Sequence, residues 1–193
     1  MILSKLKEVG LDESTLVIFT SDNGGEDRVT SNAPLRAGKS TLYEGGLREP
    51  LVVRWPGVVQ AGTQAATPVI TMDFYPTLLE AAGIPADPRQ TSDGVSLVPL
   101  FKDPQAGLRR DALCWHYPLD QPHFLGGRSA GAIREGHWKL IEFYDTGQRE
   151  LYDLANDVGE QHDLAATMPE RADLLQSKLA TWRERVGADP HDT

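Results

Sequence analysis

Thr15-Leu16-Val17-Ile18-Phe19-Thr20-Ser21-Asp22-Asn23-Gly24-Gly25 is the stretch from which the fold is read. Its first six residues are apolar or β-branched, as in a short strand buried on both faces. Just before it, Leu3, Leu6 and Val9 recur at helical spacing, and Gly10 can end that helix. A helix leading at once into such a strand suggests a parallel sheet covered on both sides. Ser21 to Gly25 ends the strand, and ligands gather at the carboxyl edge of parallel strands.

Outward from this point, residues 26 to 46 are polar and glycine-bearing and read as a long structured loop. Leu51-Val52-Val53-Arg54-Trp55 is a second strand, stopped by Pro56-Gly57. After a loop over 58–68, Met72 to Ala82 reads as a helix. Phe74, Leu78, Leu79 and Ala82 share one face, Pro76 fits only in the first turn, and Gly83 follows. Residues 83 to 110, with Pro85, Pro88, Pro99 and Pro104, read as a linker between two subdomains.

Beyond the linker the pattern changes to short strands at 112–117, 130–134, 138–144 and 150–154. Glu135-Gly136 and Thr146-Gly147 sit where hairpins turn. Leu174, Leu175, Leu179 and Trp182 mark a final helix over 169–186, with Thr167 as its expected cap and Pro169 in its first turn.

The chain has 193 residues, 40% hydrophobic and 24% charged. That is ordinary globular composition, which excludes disorder and disulfide-dense scaffolds as readings of the whole. The net charge of -9 argues against a binder of nucleic-acid backbone or anionic lipid. A single cysteine, Cys114, cannot form an internal disulfide. No apolar run reaches the length of a membrane span, and the first residues have no signal-peptide core.

Three patches could carry chemistry. Asp22 and Asn23 offer a carboxylate and an amide oxygen side by side, a pair suited to a hard cation such as Ca²⁺ or Mg²⁺. On spacing alone, a plain Asp-Asn-Gly turn explains them better. Ala33 to Ser40 imitates a phosphate-binding loop, but no strand precedes it and Pro50 prevents a long helix after it. What remains is a set of cations, Arg36, Lys39 and Arg48, able to hold an anionic group or simply to be solvated. The third patch is Cys114-Trp115-His116-Tyr117-Pro118 with His123, where His116 between two aromatic residues is a substrate contact or an ordinary structural histidine. His137 and His162 read as surface turn residues.

These pieces together resemble the C-terminal part of a sulfatase, of the arylsulfatase type in the alkaline-phosphatase-like superfamily. The matching stretches are 17–24, 35–50, Trp55-Pro56-Gly57, 73–79, 132–141 and 150–154, in the family's order. The resemblance implies an α/β fold: the end of a mixed-sheet catalytic domain over 1–105, then a small antiparallel sheet with a C-terminal helix over 106–193. It implies that Asp22 and Asn23 are ligands of an active-site Ca²⁺, with Mg²⁺ less favoured. Lys39 is similar to the lysine that holds the sulfate and helps neutralise the leaving oxygen. Arg36, His116 and His123 resemble residues framing the substrate pocket. The family's His-Tyr-Pro-His order reads here as His116-Tyr117-Pro118-Leu119.

One departure stands out. The family's nucleophile is a formylglycine made from the Cys or Ser of a C/S-x-P-x-R motif, and this chain contains no such motif. The family's early aspartate pair and upstream Lys and His groups are also absent. The expectation is therefore part of a hydrolase of organic sulfate esters, aryl or carbohydrate, inactive alone and completed by an N-terminal half. A periplasmic or secreted setting is consistent with the resemblance. The alternatives are a phosphoesterase or phosphonate hydrolase of the same superfamily, or a non-catalytic remnant or binding module. A chain without half of its sheet also exposes apolar strand edges and is expected to self-associate.

Overall fold

The computed structural model describes residues 2–189; the outermost ends of both expected domains, residue 1 and residues 190–193, lie outside the described residues. The chain forms two compact units that are interleaved in sequence. One comprises Met1–Ser21 with Pro50–Arg110, and the other Asp22–Glu49 with Asp111–Thr193.

In the first unit, α1 (Ile2–Glu8) forms as its spacing predicts, and Gly10 takes the left-handed conformation after it (φ 71°). None of its residues is buried. Strand β1 (Val17–Thr20) pairs with β2 (Leu51–Arg54), and the pairing is antiparallel, Val17 opposite Arg54 and Thr20 opposite Leu51. The parallel, doubly covered sheet expected here is thus corrected. An apolar run encodes a tendency to be buried; it does not encode the direction of the neighbouring strand. The cross-strand pair Phe19 and Val52 is 67% and 59% exposed.

A 3₁₀ turn at Thr71–Asp73 leads into α3 (Phe74–Ala81), with Pro76 in the first turn and Gly83 at φ 66° just past the end. Asp73 is fully buried and holds this corner. Its carboxylate accepts bonds from the amides of Ile70 and Val95 and pairs with Arg110 at 2.6 Å. The expected linker over 83–110 also needs correcting. It contains α4 (Val98–Lys102), whose Val98 and Leu100, with the preceding Leu97, are buried. Pro99 sits in the first turn of that helix, where a missing amide costs nothing. The packed part is confined to the neighbourhood of α4; Pro85 and Pro88 lie in an exposed irregular stretch.

The second unit is built on an antiparallel meander of β3 (Leu113–Tyr117), β4 (Ala130–Glu135), β5 (Trp138–Phe143) and β6 (Arg149–Asp153). Gly136 and Gly147 adopt positive φ at the two tight turns, as the sequence suggests. Period-two alternation gives the sheet two different faces. Ile133, Leu140 and Leu151 pack with Leu175 and Leu179 of α5 (Pro169–Val186). Ala132, Ile141, Phe143 and Tyr152 pack on the other face with Leu42 of the 22–49 segment. Each fully buried leucine or isoleucine here contributes about 1.5–3 kcal/mol.

Helix α5 has Pro169 at its first position and Gly187 at φ 68° after its last turn. Its expected cap, Thr167, does not serve. Met168 holds the cap position, and the Thr167 hydroxyl donates instead to the carbonyl of Leu164.

Candidate active site

The segment 22–49 contains one short helix, α2 (Glu44–Leu47), and is otherwise irregular. Backbone close approach fixes it. Gly24 donates its amide to Gly46 O at 3.1 Å, and a Cβ at Gly24 would lie 1.8 Å from Gly45 O. Asn32 is the hub. Its side-chain amide donates to Gly25 O, Asp27 Oδ1 and Ala37 O, and its oxygen accepts from the Gly25 amide.

Lys39 projects from the tightest part of this weave. Its own amide donates to Gly25 O at 3.0 Å, while its side chain is exposed. On either side, Ala37 (φ 54°) and Ser40 (φ 77°) hold left-handed backbone without being glycine. Such residues cost about 1–3 kcal/mol each and persist only where surrounding contacts enforce them.

Asp22 and Asn23 open the segment, immediately before the Gly24 clamp. Asp22 is exposed and Asn23 half-buried. Nearby, the Glu49 carboxyl is held above the usual carboxylate range, first by burial and then by the negative charge of Asp22. The donors are hard oxygens with excess negative charge, which fits a Ca²⁺ or Mg²⁺ ion by ligand type. They amount to an edge of a site, because Ca²⁺ takes about 6–8 oxygens. Among the described residues, no group of three or more His, Cys, Asp or Glu side chains is arranged to hold a metal.

Arg36 is turned inward. Its guanidinium donates to Tyr152 Oη at 2.7 Å and Glu160 O at 2.8 Å and lies 4.0 Å above the Tyr43 ring. Eight residues on, Glu44 enters a buried charge cluster. Its Oε1 is 3.0 Å from Lys139 Nζ and its Oε2 is 3.3 Å from Arg134. Glu160 completes the cluster, with Oε2 accepting the Glu44 amide at 2.7 Å and Oε1 2.9 Å from Lys139 Nζ. The second contact is close enough for charge pairing but lies off the hydrogen-bonding direction. Glu44, Lys139 and Glu160 are all buried. Burial pushes the Glu160 carboxyl up, with Lys139 opposing the shift.

The two histidines lie apart. His116 shares the α5 face of the sheet with Cys114, and its Nδ1 meets Tyr144 Oη at 2.9 Å. Trp115 and Tyr117, of opposite parity, face the 22–49 segment, where Tyr117 Oη lies 3.0 Å from Ser40 Oγ. Strand alternation therefore does not bring His116 together with Lys39. His123 lies in the loop before β4, whose Gly127 is wedged against Ser40 so that a Cβ would lie 2.0 Å from Ser40 O. His123 stacks on Phe124, which is 77% exposed and also lies 5.3 Å from the Arg28 guanidinium. Cys114 is half-buried, and burial pushes its thiol up to about 11.

Sequence reasoning missed Asn32, Glu44, Lys139 and Glu160 as the parts that hold the loop. One signal was present: a lysine inside the apolar run Trp138-Lys139-Leu140-Ile141 needs a buried partner.

Comparison with known proteins turns the resemblance into membership. Residues 37–185 match the family described as N-sulphoglucosamine sulphohydrolase, C-terminal. The chain belongs to the sulfatase family. It is 38% identical over 189 residues to a sulfatase of Formosa agariphila, covering 91% of this chain and 34% of that protein. With human arylsulfatase A it shares 34% identity over 193 residues, covering 84% of this chain and 36% of that protein. The solved structure of BT4656 in complex with its substrate D-glucosamine-2-N,6-O-disulfate superposes with a TM-score of 0.82 at 27% identity, covering all of this chain and 39% of that one. The chain thus spans about a third of the length of the sulfatases it matches, and the match is to their C-terminal part.

Proposed function

We propose that this chain is the C-terminal part of an enzyme that hydrolyses organic sulfate esters, aryl or carbohydrate. The carrying observation is Lys39, an exposed cation displayed from a strained and clamped loop inside the family-matched segment. Its ammonium supplies a compact charge and three donors to a sulfate oxygen and offsets charge on the departing ester oxygen. Asp22 and Asn23 would hold a hard dication, Ca²⁺ in preference to Mg²⁺ as the family resemblance implies, with further oxygens supplied from elsewhere. When bound, that ion supplies Lewis acidity toward sulfate oxygens.

Among the proposed substrate contacts, His123 beside the exposed Phe124 is best placed to meet a ligand. Arg36 contributes by holding the loop and His116 by ordering the sheet. Sulfated glucosamine is the bound substrate of the similar BT4656, which favours a sulfated sugar here. The nucleophile belongs to a segment outside this sequence. The exposed Phe19–Val52 pair and the uncovered face of α1 offer apolar surface for that N-terminal part.

An antibody against this chain tests the reading in the source cells. The expected species is about three times heavier than 21.2 kDa, in keeping with the third of the relatives spanned here. The captured protein should hydrolyse 4-nitrophenyl sulfate, and Lys39→Ala should lower kcat by about 10²–10³. The purified 193-residue chain should show no turnover. A native species of 21.2 kDa, or turnover by the isolated chain, would overturn the proposal.

A further inference from the structure

Glu160 lies more than a hundred residues from Lys39 and outside every patch the chemistry singled out. Yet it grips both sides of the lysine loop. Its carbonyl accepts Arg36, three residues before Lys39, and its carboxylate accepts the amide of Glu44, five residues after it. The same carboxylate is anchored from beneath by Lys139 on β5, which also holds Glu44. Glu160 is itself in left-handed backbone (φ 51°), the conformation that lets one residue present both carbonyl and carboxylate to the loop.

Between the two grips lie Ala37 and Ser40, in backbone that would relax if released. We infer that Glu160 is a positioning residue for Lys39: with Lys139 beneath it, it closes the loop over 36–44 and so fixes where the ammonium stands. The link to sulfate rests on the proposed function; the clamp itself does not. Tyr43 and Tyr152 reinforce the Arg36 side, both donating to Glu150 Oε2 at 2.7 and 2.8 Å.

The test uses the full-length protein that carries this chain, amide hydrogen exchange and a ¹³C-methylated Lys39 titrated with sodium sulfate. Glu160→Gln should speed exchange at the Lys39, Glu44 and Gly45 amides about tenfold or more, the equivalent of one charge-assisted bond. Amides of β4 and β5 should be unchanged, and the Lys39 response to sulfate should weaken. Glu160→Asp keeps the charge but shortens the reach, and should give the same local loosening with less risk to folding. Unchanged exchange at Lys39 in both variants overturns the inference. So does exchange that rises equally across β4, β5 and the loop, because that marks general destabilisation. If the loop loosens but wild-type Lys39 never responds to sulfate, the clamp stands and the sulfate reading falls.

Discussion

Replacing Lys139 with methionine removes one buried cation from between two buried carboxylates. In the native cluster Nζ lies 3.0 Å from Glu44 and 2.9 Å from Glu160. Without it, Glu44 keeps Arg134 at 3.3 Å and Arg48 at 3.8 Å. Glu160 keeps the Glu44 amide but loses its cation, so the penalty falls mainly there. Breaking a buried pair on one side costs about 3–5 kcal/mol near neutral pH. The pH dependence follows from Glu160, whose carboxyl burial already pushes up. A raised folded-state value means the folded protein takes up a proton that the unfolded chain does not. The deficit of Lys139→Met should therefore shrink as pH falls from about 7 toward about 5. Adding Glu160→Gln should recover about 1–3 kcal/mol near neutrality, since no uncompensated charge then remains on that residue. Urea unfolding followed by the fluorescence of Trp115 and Trp138 reads all three proteins. A Lys139→Met variant within about 1 kcal/mol of wild type near neutrality, or one whose deficit grows on acidification, would refute the reasoning.

Gly45→Ala would put a Cβ 2.0 Å from Ala37 O and 2.4 Å from Arg36 O, both backbone, and should lower stability by about 1–3 kcal/mol in the same assay. Asp22→Asn should lower the Glu49 titration midpoint toward 4.5 while leaving it above that value, because burial, the larger cause, remains; carboxyl NMR shows whether it moves. Cys114 should be alkylated slowly: a rise from 9.0 to about 11 cuts the thiolate fraction near pH 8 about 100-fold, and iodoacetamide labelling of folded against unfolded protein checks it.

The antiparallel meander and α5 were legible because their signals are local. Gly136 and Gly147 stand where the backbone needs positive φ, and apolar periodicity marks α5. The pairing of β1 with β2 was not legible, since strand direction depends on where an intervening 30-residue excursion returns. The prolines of 83–110 misled for a related reason: Pro99 begins a helix as readily as it breaks one. At the site, residue type pointed to Asp22, Asn23 and Lys39, but the grip on Lys39 comes from Lys139 and Glu160, far away in sequence. Nothing near Lys39 encodes that contact.

The order in which a ribosome delivers this chain gives the clamp a temporal meaning. Strands β1 and β2 are both available once residue 54 has emerged, but Glu44 and Arg36 wait for a partner 116 and 124 residues downstream. At about 5–20 residues per second, that gap is on the order of ten seconds. For that interval the lysine loop has been synthesised but lacks its Glu160 grip, and Ala37 and Ser40 rest on the loop's own contacts alone, such as that from Asn32 to Ala37 O. The loop around Lys39 is thus among the last features of the chain to take shape, and a product cut short before residue 160 would carry Lys39 without the Glu160 grip.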